Sequence, residues 1–356
     1  MTHMIQCLTK EGEILKDVNI DLSEAELIKA YQTMVLTRTL DTKMVALQRQ
    51  GRIGFYLPSY GEEACSVGSG LGVSNNDWFF PAYREQGAML LKGVTLNFII
   101  SHLRGSADDE HKGRSLPGLF GCSSKRFVPP SAPVGTQIAH AVGTAFASKL
   151  LDDKVATIVY FGDGATSSND FHSGLNFAGV YKTPTVFFCK NNQWAISTNI
   201  SNQTASNGIA IKAKAYGFDG VVVDGNDILA VYMATKSAME KAREGKGPTL
   251  IEAKTYRLSS HSTSDDGSRY QDQIEYKEWL SQDPIARFRK YLENSGIWNR
   301  DLEQEIQQKT ERQITEAITQ AESSPMPSLD TLITDVYSEI PDSLKNDFQS
   351  LKDSKN

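Results

Sequence analysis

The stretch YFGDGATSSNDFHSGLNFAGVYKTPTVFFCKNNQWAIS (residues 160–197) decides the fold. The apolar run KVATIVYFG reads as a buried strand that stops at Gly162-Asp163-Gly164, and TPTVFFCKNN reads as a second that stops at Asn191-Asn192. Between them, NDFHSGLNFAGVY has helical spacing. A right-handed strand–helix–strand crossover sets such strands side by side, and ligands of open parallel sheets sit beyond the carboxyl ends of the strands. The carboxylate of Asp163 and the amide oxygen of Asn192 are therefore expected to converge on one hard cation. Mg²⁺ favours such an incomplete set of protein oxygens, because it keeps octahedral geometry and shares its shell with phosphates. The glycines beside Asp163 allow close backbone approach, and the following helix N-terminus can receive negative charge. The segment thus reads as a device for holding a diphosphate through a metal. Either motif alone is an ordinary turn; the functional reading rests on the pair, 26 residues (165–190) apart in strand–helix–strand context.

Working outward, the same alternation continues. TQIAHAVGTAFASKLL and DILAVYMATKSAMEKAREG read as helices, FDGVVVDGND and GPTLIEAKTYRL as further strands. Continuous Val/Ile/Phe runs alternating with helices predict an α/β fold with a doubly wound, mostly parallel sheet covered on both faces. Upstream, residues 23–51 predict a long amphipathic helix opened by a Ser23–Glu26 capping box and closed by Gly51. Residues 104–131 are turn-rich without periodicity, the mark of a loop with a task or of disorder. After Pro284 the pattern is helical and charged to about residue 322, followed by SSPMPS and a short last segment. The expected organisation is an N-terminal helical extension (1–52), an α/β domain (53–283), and a C-terminal helical extension with tail (284–356).

The 356 residues leave room for a sizeable core, and the net charge of −6 offers no general attraction to nucleic acid or anionic membrane. Cys7, Cys65, Cys122 and Cys189 lie far apart with no CxxC pair, which suits buried thiols in a reducing compartment. No apolar run spans a bilayer, and MTHMIQCLTKEGEIL lacks signal-peptide or transit-peptide character. A bacterial cytoplasmic location is expected, or a mitochondrial matrix if the chain is a processed eukaryotic one.

The spacing of GDG and NN resembles the thiamine diphosphate fingerprint. Four more stretches, PAYREQG (81–87), SAPVGTQIAHAVG (131–143), RLSSHSTSDDGSRY (257–270) and TDVYSEIP (334–341), are similar to alpha subunits of the 2-oxoacid dehydrogenase complexes, the branched-chain 2-oxoacid branch above all. The likeness runs from about residue 30 to the C-terminus. It implies Asp163 and Asn192 as side-chain ligands of Mg²⁺, with Trp194 adding its backbone carbonyl. It implies backbone contacts from Gly164 and Ala165 to the diphosphate of thiamine diphosphate, and side-chain contacts from Tyr83 and Arg84. Lys190 stands at a diphosphate-contact position where relatives often carry Arg, a departure that implies a weaker or missing contact; Val134 is expected near the aminopyrimidine, and Ser131, Pro133, Thr136 and Gln137 around a monovalent cation, usually K⁺. Ser260 stands where many relatives have a second His.

By the same resemblance His261 is the catalytic residue, lying beside the cofactor and assisting proton movements and reductive acyl transfer, a task that suits a group titrating near neutrality. Ser262 matches a phosphorylation target of mitochondrial relatives. The other five histidines read as structural. The implied reaction is decarboxylation of a branched-chain 2-oxoacid with transfer of the acyl group to the lipoyl domain of an acyltransferase core. One α/β domain leaves no room for the second domain that thiamine enzymes need, so a beta subunit and an α₂β₂ heterotetramer are expected. Pyruvate or acetoin dehydrogenase alpha subunits are the alternatives within this chemistry. A non-catalytic phosphate-binding module is the alternative outside it, and an inactive regulatory paralogue is a third.

Overall fold

The computed structural model describes residues 3–16 and 18–354. Its helices are α1 (Glu24–Arg49), α2 (Glu63–Gly72), α3 (Gln86–Leu91), α4 (Leu96–Arg104), α5 (Thr136–Leu150), α6 (Asn169–Tyr181), α7 (Ile228–Arg243), α8 (Gln273–Leu280), α9 (Pro284–Asn294), α10 (Arg300–Ser323), α11 (Thr331–Thr334) and α12 (Asp342–Asp353). The strands are β1 (Trp78–Phe80), β2 (Thr157–Gly162), β3 (Thr185–Asn191), β4 (Trp194–Ala195), β5 (Thr198–Asn199), β6 (Asp219–Asp224) and β7 (Thr249–Lys254). Five of them form one parallel sheet in the order β1-β2-β3-β7-β6, while β4 and β5 pair as a small antiparallel hairpin.

The crossover read from the sequence is present: β2 and β3 are parallel neighbours joined by α6, with Gly162 in register with Lys190. Asp163 therefore leaves the sheet beside Asn191. The pleat sorts the strands' side chains onto two faces. Ile158, Tyr160, Val186 and Phe188 join the core under α1, α2 and α7, whereas Val159, Phe161, Phe187 and Cys189 pack under α5 and α6. Both faces are covered, so the strands could remain apolar throughout.

Helix α1 begins at the expected capping box, in which Ser23 Oγ accepts from the Glu26 amide and Glu26 Oε2 from the Ser23 amide. Helix α2 packs against α7 so closely that a Cβ on Gly68 would lie 2.8 Å from the Ile228 carbonyl. Its Gly/Ser/Cys composition is a consequence of that approach. The segment before α1 adds Ile5 to the sheet as a parallel bridge to Val223 of β6. Helices α9 and α10 follow Pro284 as expected and pack on α1, with α10 also against α4. All four cysteines are free and buried. Among the described residues, no helix is long and apolar enough to cross a membrane.

Candidate active site

Four strands of the sheet deliver the site from their carboxyl ends. Tyr83 and Arg84 follow β1, Asp163 to Ala165 follow β2, Asn192 and Trp194 follow β3, and Arg257 and His261 follow β7; all line one cavity of about 600 Å³. Its apolar wall is Phe55, Leu57, Leu116, Leu119 and Val134. The long loop 104–131 supplies Leu116, Pro117 and Leu119 to this wall, so it does have a task. His102 holds that loop through Asp109 and the Leu116 carbonyl, and Lys112 and Arg114 pin it to Asp335.

Asp163 is 1% exposed. Gln203 Nε2 donates to its Oδ2 at 2.5 Å, while Oδ1 is buried without any partner. Burial raises its pKa to about 6, Gln203 opposing and the nearby Glu62 charge reinforcing the rise. An acceptor-only oxygen in this state is costly unless a cation or proton meets it. Next to it, a Cβ on Gly164 would sit 2.7 Å from Ala195 Cβ, so only glycine lets the loop after β2 approach the β4–β5 hairpin.

Asn192 has its amide orientation set from both ends. Its Nδ2 donates to Glu62 Oε1 at 2.7 Å, and its Oδ1 accepts from the Trp194 amide at 3.2 Å. The Trp194 carbonyl accepts one bond, from Arg257 Nη1 at 3.3 Å, which leaves a lone pair. Among the described residues no cluster of three or more His, Cys, Asp or Glu exists that could hold a metal by itself. One carboxylate, one amide oxygen and one carbonyl are nevertheless a hard, oxygen-only set fit for Mg²⁺ completed by phosphates.

Arg84 is 2% exposed and uses three of its five N–H donors on the protein: Nη1 donates to the Pro58 carbonyl, and Nη2 to the His261 carbonyl at 2.7 Å and to His261 Nδ1 at 3.2 Å. Because a guanidinium only donates, His261 Nδ1 must accept, and the neutral ring carries its proton on Nε2. Nε2 has no protein partner among the described residues. Burial, then Arg84 and Arg257, lower the His261 pKa to about 4. The backbone amide of His261 donates to Asp265 Oδ2 at 2.7 Å, which also accepts from Tyr270 OH at 2.5 Å; Arg257 Nη2 donates to Tyr270 OH at 2.6 Å.

Lys190 is a correction to the sequence reading. It does not line the cavity. It lies behind the wall, Nζ 2.6 Å from Glu85 Oε1 and 3.2 Å from Glu62 Oε2. The pleat explains this: in register with Gly162, Lys190 faces the α2 side of the sheet. Burial opposes its charge, but the two carboxylates outweigh that and hold the ammonium above its usual range. Of the residues expected around a monovalent cation, Ser131 and Gln137 line the cavity and Pro133 and Thr136 do not. Gln137 Nε2 donates to the Tyr160 carbonyl, leaving Oε1 buried and partnerless. Ser262 is buried and outside the cavity wall, its Oγ accepting from the Ser264 amide.

Sequence reasoning missed Glu62 and Arg257, each 0% exposed. A signal for the first exists: GEEACSVGSG opens an otherwise small and apolar helix with two carboxylates, and Glu63 is indeed consumed by Arg38. Ile196 is also unexpected. This β-branched residue turns the β4–β5 hairpin at φ +53°, a left-handed conformation that costs of order 1–2 kcal/mol. Ile196→Asn is expected to stabilise the cofactor-free protein by about 1 kcal/mol in chemical denaturation.

Residues 31–330 match the dehydrogenase E1 component family. The chain is 41% identical over 346 residues to "2-oxoisovalerate dehydrogenase subunit alpha, mitochondrial" of Homo sapiens, covering 97% of this chain and 78% of that protein. It is 43% identical over 332 residues to "3-methyl-2-oxobutanoate dehydrogenase subunit alpha" of Mycobacterium tuberculosis, covering 93% and 88%. The mitochondrial alpha subunit of Dictyostelium discoideum is 42% identical over 343 residues, covering 95% and 78%.

Proposed function

The chain belongs to the dehydrogenase E1 component family, as the alpha subunit of a branched-chain 2-oxoacid dehydrogenase, and from that premise we propose how its cavity works. The family implies thiamine diphosphate and the subunit type implies a beta partner. Asp163 and Asn192 would hold Mg²⁺ by side chain and Trp194 by its carbonyl, and Gly164 and Ala165 would offer backbone groups to the diphosphate. Tyr83 and Arg84 would meet that group, and Val134 would lie near the aminopyrimidine, all three lining the cavity. Lys190 takes a supporting place behind the wall. The observation that carries this reading is the buried, partnerless Oδ1 of Asp163, in a cavity shared with an amide of fixed orientation.

Thiamine diphosphate, when bound, supplies the electron sink for loss of CO₂. The protein's part is binding and proton control. Arg84 is held rigid by three acceptors, so it loses little freedom on meeting an anion. His261 offers an N–H at Nε2 and holds no charge at neutral pH, so it can donate a hydrogen bond to a reacting oxygen or sulfur and later exchange that proton. Phe55, Leu57, Leu116 and Leu119 give the cavity an apolar side suited to a branched acyl chain over pyruvate or acetoin.

Further parts of the same reading are an α₂β₂ assembly, delivery of the acyl group to a lipoyl domain, and action in the cytoplasm, where free buried thiols are at home. A K⁺ ion held by Ser131, Pro133, Thr136 and Gln137 would meet the unsatisfied Gln137 oxygen. The chain divides as 1–52, 53–283 and 284–356, with the catalytic machinery in the middle part. Phosphate on Ser262 would add about −2 charge beside the cofactor phosphates, and reaching that buried hydroxyl requires the 259–270 loop to open. With the beta subunit present, CO₂ release from 3-methyl-2-oxobutanoate is expected to exceed release from pyruvate. A complex that binds thiamine diphosphate and Mg²⁺ but decarboxylates no 2-oxoacid would overturn the assignment.

A further inference from the structure

Glu62 is a fully buried carboxylate with a donor on every side. Asn192 Nδ2 lies 2.7 Å from Oε1, Lys190 Nζ 3.2 Å from Oε2, and Arg84 Nε 3.9 Å from Oε1. The Asn192 contact is a hydrogen bond and the two cations are ion-pair contacts, Oε2 having no hydrogen-bond partner, so a negatively charged, acceptor-only group suits all three neighbours. No step of the reaction as described uses this residue, yet its shortest contact is to a side chain placed on the metal. We infer that Glu62 is a positioning residue whose carboxylate decides which end of the Asn192 amide faces the cation, a role that rests on Asp163 and Asn192 forming the metal site. By engaging Nδ2, Glu62 leaves Oδ1 as the end available to the cavity, and the Trp194 amide reinforces the same orientation. A flipped amide would present two N–H groups to the metal, which cannot ligate it.

The inference makes Glu62→Gln informative. A glutamine amide at position 62 must give its oxygen to one neighbour and its NH₂ to the other. The ammonium of Lys190 is the stronger claimant for the oxygen, so the NH₂ is left facing Asn192 Nδ2. The Asn192 amide then flips to accept, and the metal loses its oxygen. Asn192→Asp fails for a different reason, since it sets two carboxylates against one another at hydrogen-bond distance. Combining Glu62→Gln with Asn192→Asp reverses the polarity of the hydrogen bond. The new amide donates to the new carboxylate and accepts from Lys190, one negative charge is conserved across the pair, and an oxygen is restored to the metal.

The experiment is calorimetric titration of Mg²⁺ in the presence of thiamine diphosphate, using the alpha–beta complex, with thermal unfolding of the cofactor-free complexes alongside. Glu62→Gln is expected to weaken Mg²⁺ binding by about 10–100-fold, as loss of an outer-shell partner typically does, and the paired substitution to return within about 5-fold of wild type. Wild-type affinity in Glu62→Gln, or a paired variant no better than the single one, overturns the inference. Should Glu62→Gln fail to fold, the paired variant decides alone: near-wild-type binding supports the role and weak binding refutes it. Asp163→Asn separates the two levels. If it binds Mg²⁺ as wild type does, the metal-site reading itself falls; if it loses Mg²⁺ while Glu62→Gln does not, only the role of Glu62 falls.

Discussion

Asp163→Asn is expected to abolish Mg²⁺-dependent binding of thiamine diphosphate, a loss greater than the roughly 10–100-fold that follows removal of an outer-shell partner. The same variant is expected to be more stable than wild type when both are cofactor-free at pH 8. Burial raises the folded-state pKa of Asp163 to about 6, above that of the unfolded chain. The folded protein then holds its proton more tightly, and the stability this contributes is fully present at acid pH and lost as pH rises through 6. At pH 8 wild type bears the cost of an ionised carboxylate in a dry site. The neutral amide removes that cost, of order 1–3 kcal/mol, while Gln203 can still donate to its oxygen. Calorimetric titration tests the first effect and denaturant unfolding the second. Unchanged Mg²⁺ affinity would defeat the metal assignment, and lowered stability at pH 8 would show that Asp163 is structural.

The same pKa predicts an acid limb. Below pH 6 the metal must displace a proton from Asp163, so apparent Mg²⁺ affinity falls about tenfold per pH unit, and excess Mg²⁺ restores binding. An acid limb insensitive to Mg²⁺ concentration would belong to another group.

How far the sequence carried these conclusions depended on burial. β2 and β3 are buried on both faces, so they appear as unbroken apolar runs, and the residues at their tips could be placed beside each other before any coordinate was known. β1 escaped notice because three residues, Trp78–Phe80, carry no period, and their strand character comes from pairing with β2 and a bridge to Phe127. The Gly- and Ala-rich stretch around α2 suits tightly packed helices, but the bounds of α2 were hidden for the opposite reason: nine of its ten residues are buried, which erases amphipathic spacing. The cavity side was legible in so far as Asp163, Asn192, Arg84 and His261, read from separate stretches, line one cavity. The charged layer behind it was not, because Glu62, Glu85 and Lys190 meet from three separate segments with no motif linking them. Lys190 shows the hazard. The resemblance, which has Arg at this position in many relatives, assigns it to the diphosphate; read across the sheet it belongs to two carboxylates.

His261→Asn is expected to bind thiamine diphosphate and Mg²⁺ within a few-fold of wild type while lowering acyl transfer to the lipoyl domain by about 10²–10⁴-fold. Asparagine separates the two functions of the imidazole. Its side-chain oxygen can replace Nδ1 as the acceptor for Arg84 Nη2, so Arg84 stays in place, supported also by the carbonyl of residue 261. What disappears is the N–H at Nε2, the one ring position without a protein partner. His261→Ala removes the acceptor as well, and is expected to add a modest loss of cofactor affinity to the same loss of transfer. Ionisation supplies a further check. In the cofactor-free protein a pKa near 4 keeps the ring neutral across pH 5–8, so an acid limb of Mg²⁺ binding near pH 6 should follow Asp163 and persist in His261→Asn. The depressed value also has a stability consequence of opposite sign to that of Asp163. Between about 4 and 6.5 the unfolded chain binds the proton more readily, so the cofactor-free protein should lose stability as pH falls through that interval, and His261→Asn should lose less. Single-turnover decarboxylation followed with and without the lipoyl domain distinguishes these steps. A variant that decarboxylates and acylates the lipoyl domain at the wild-type rate would remove His261 from the chemistry and leave it a brace for Arg84.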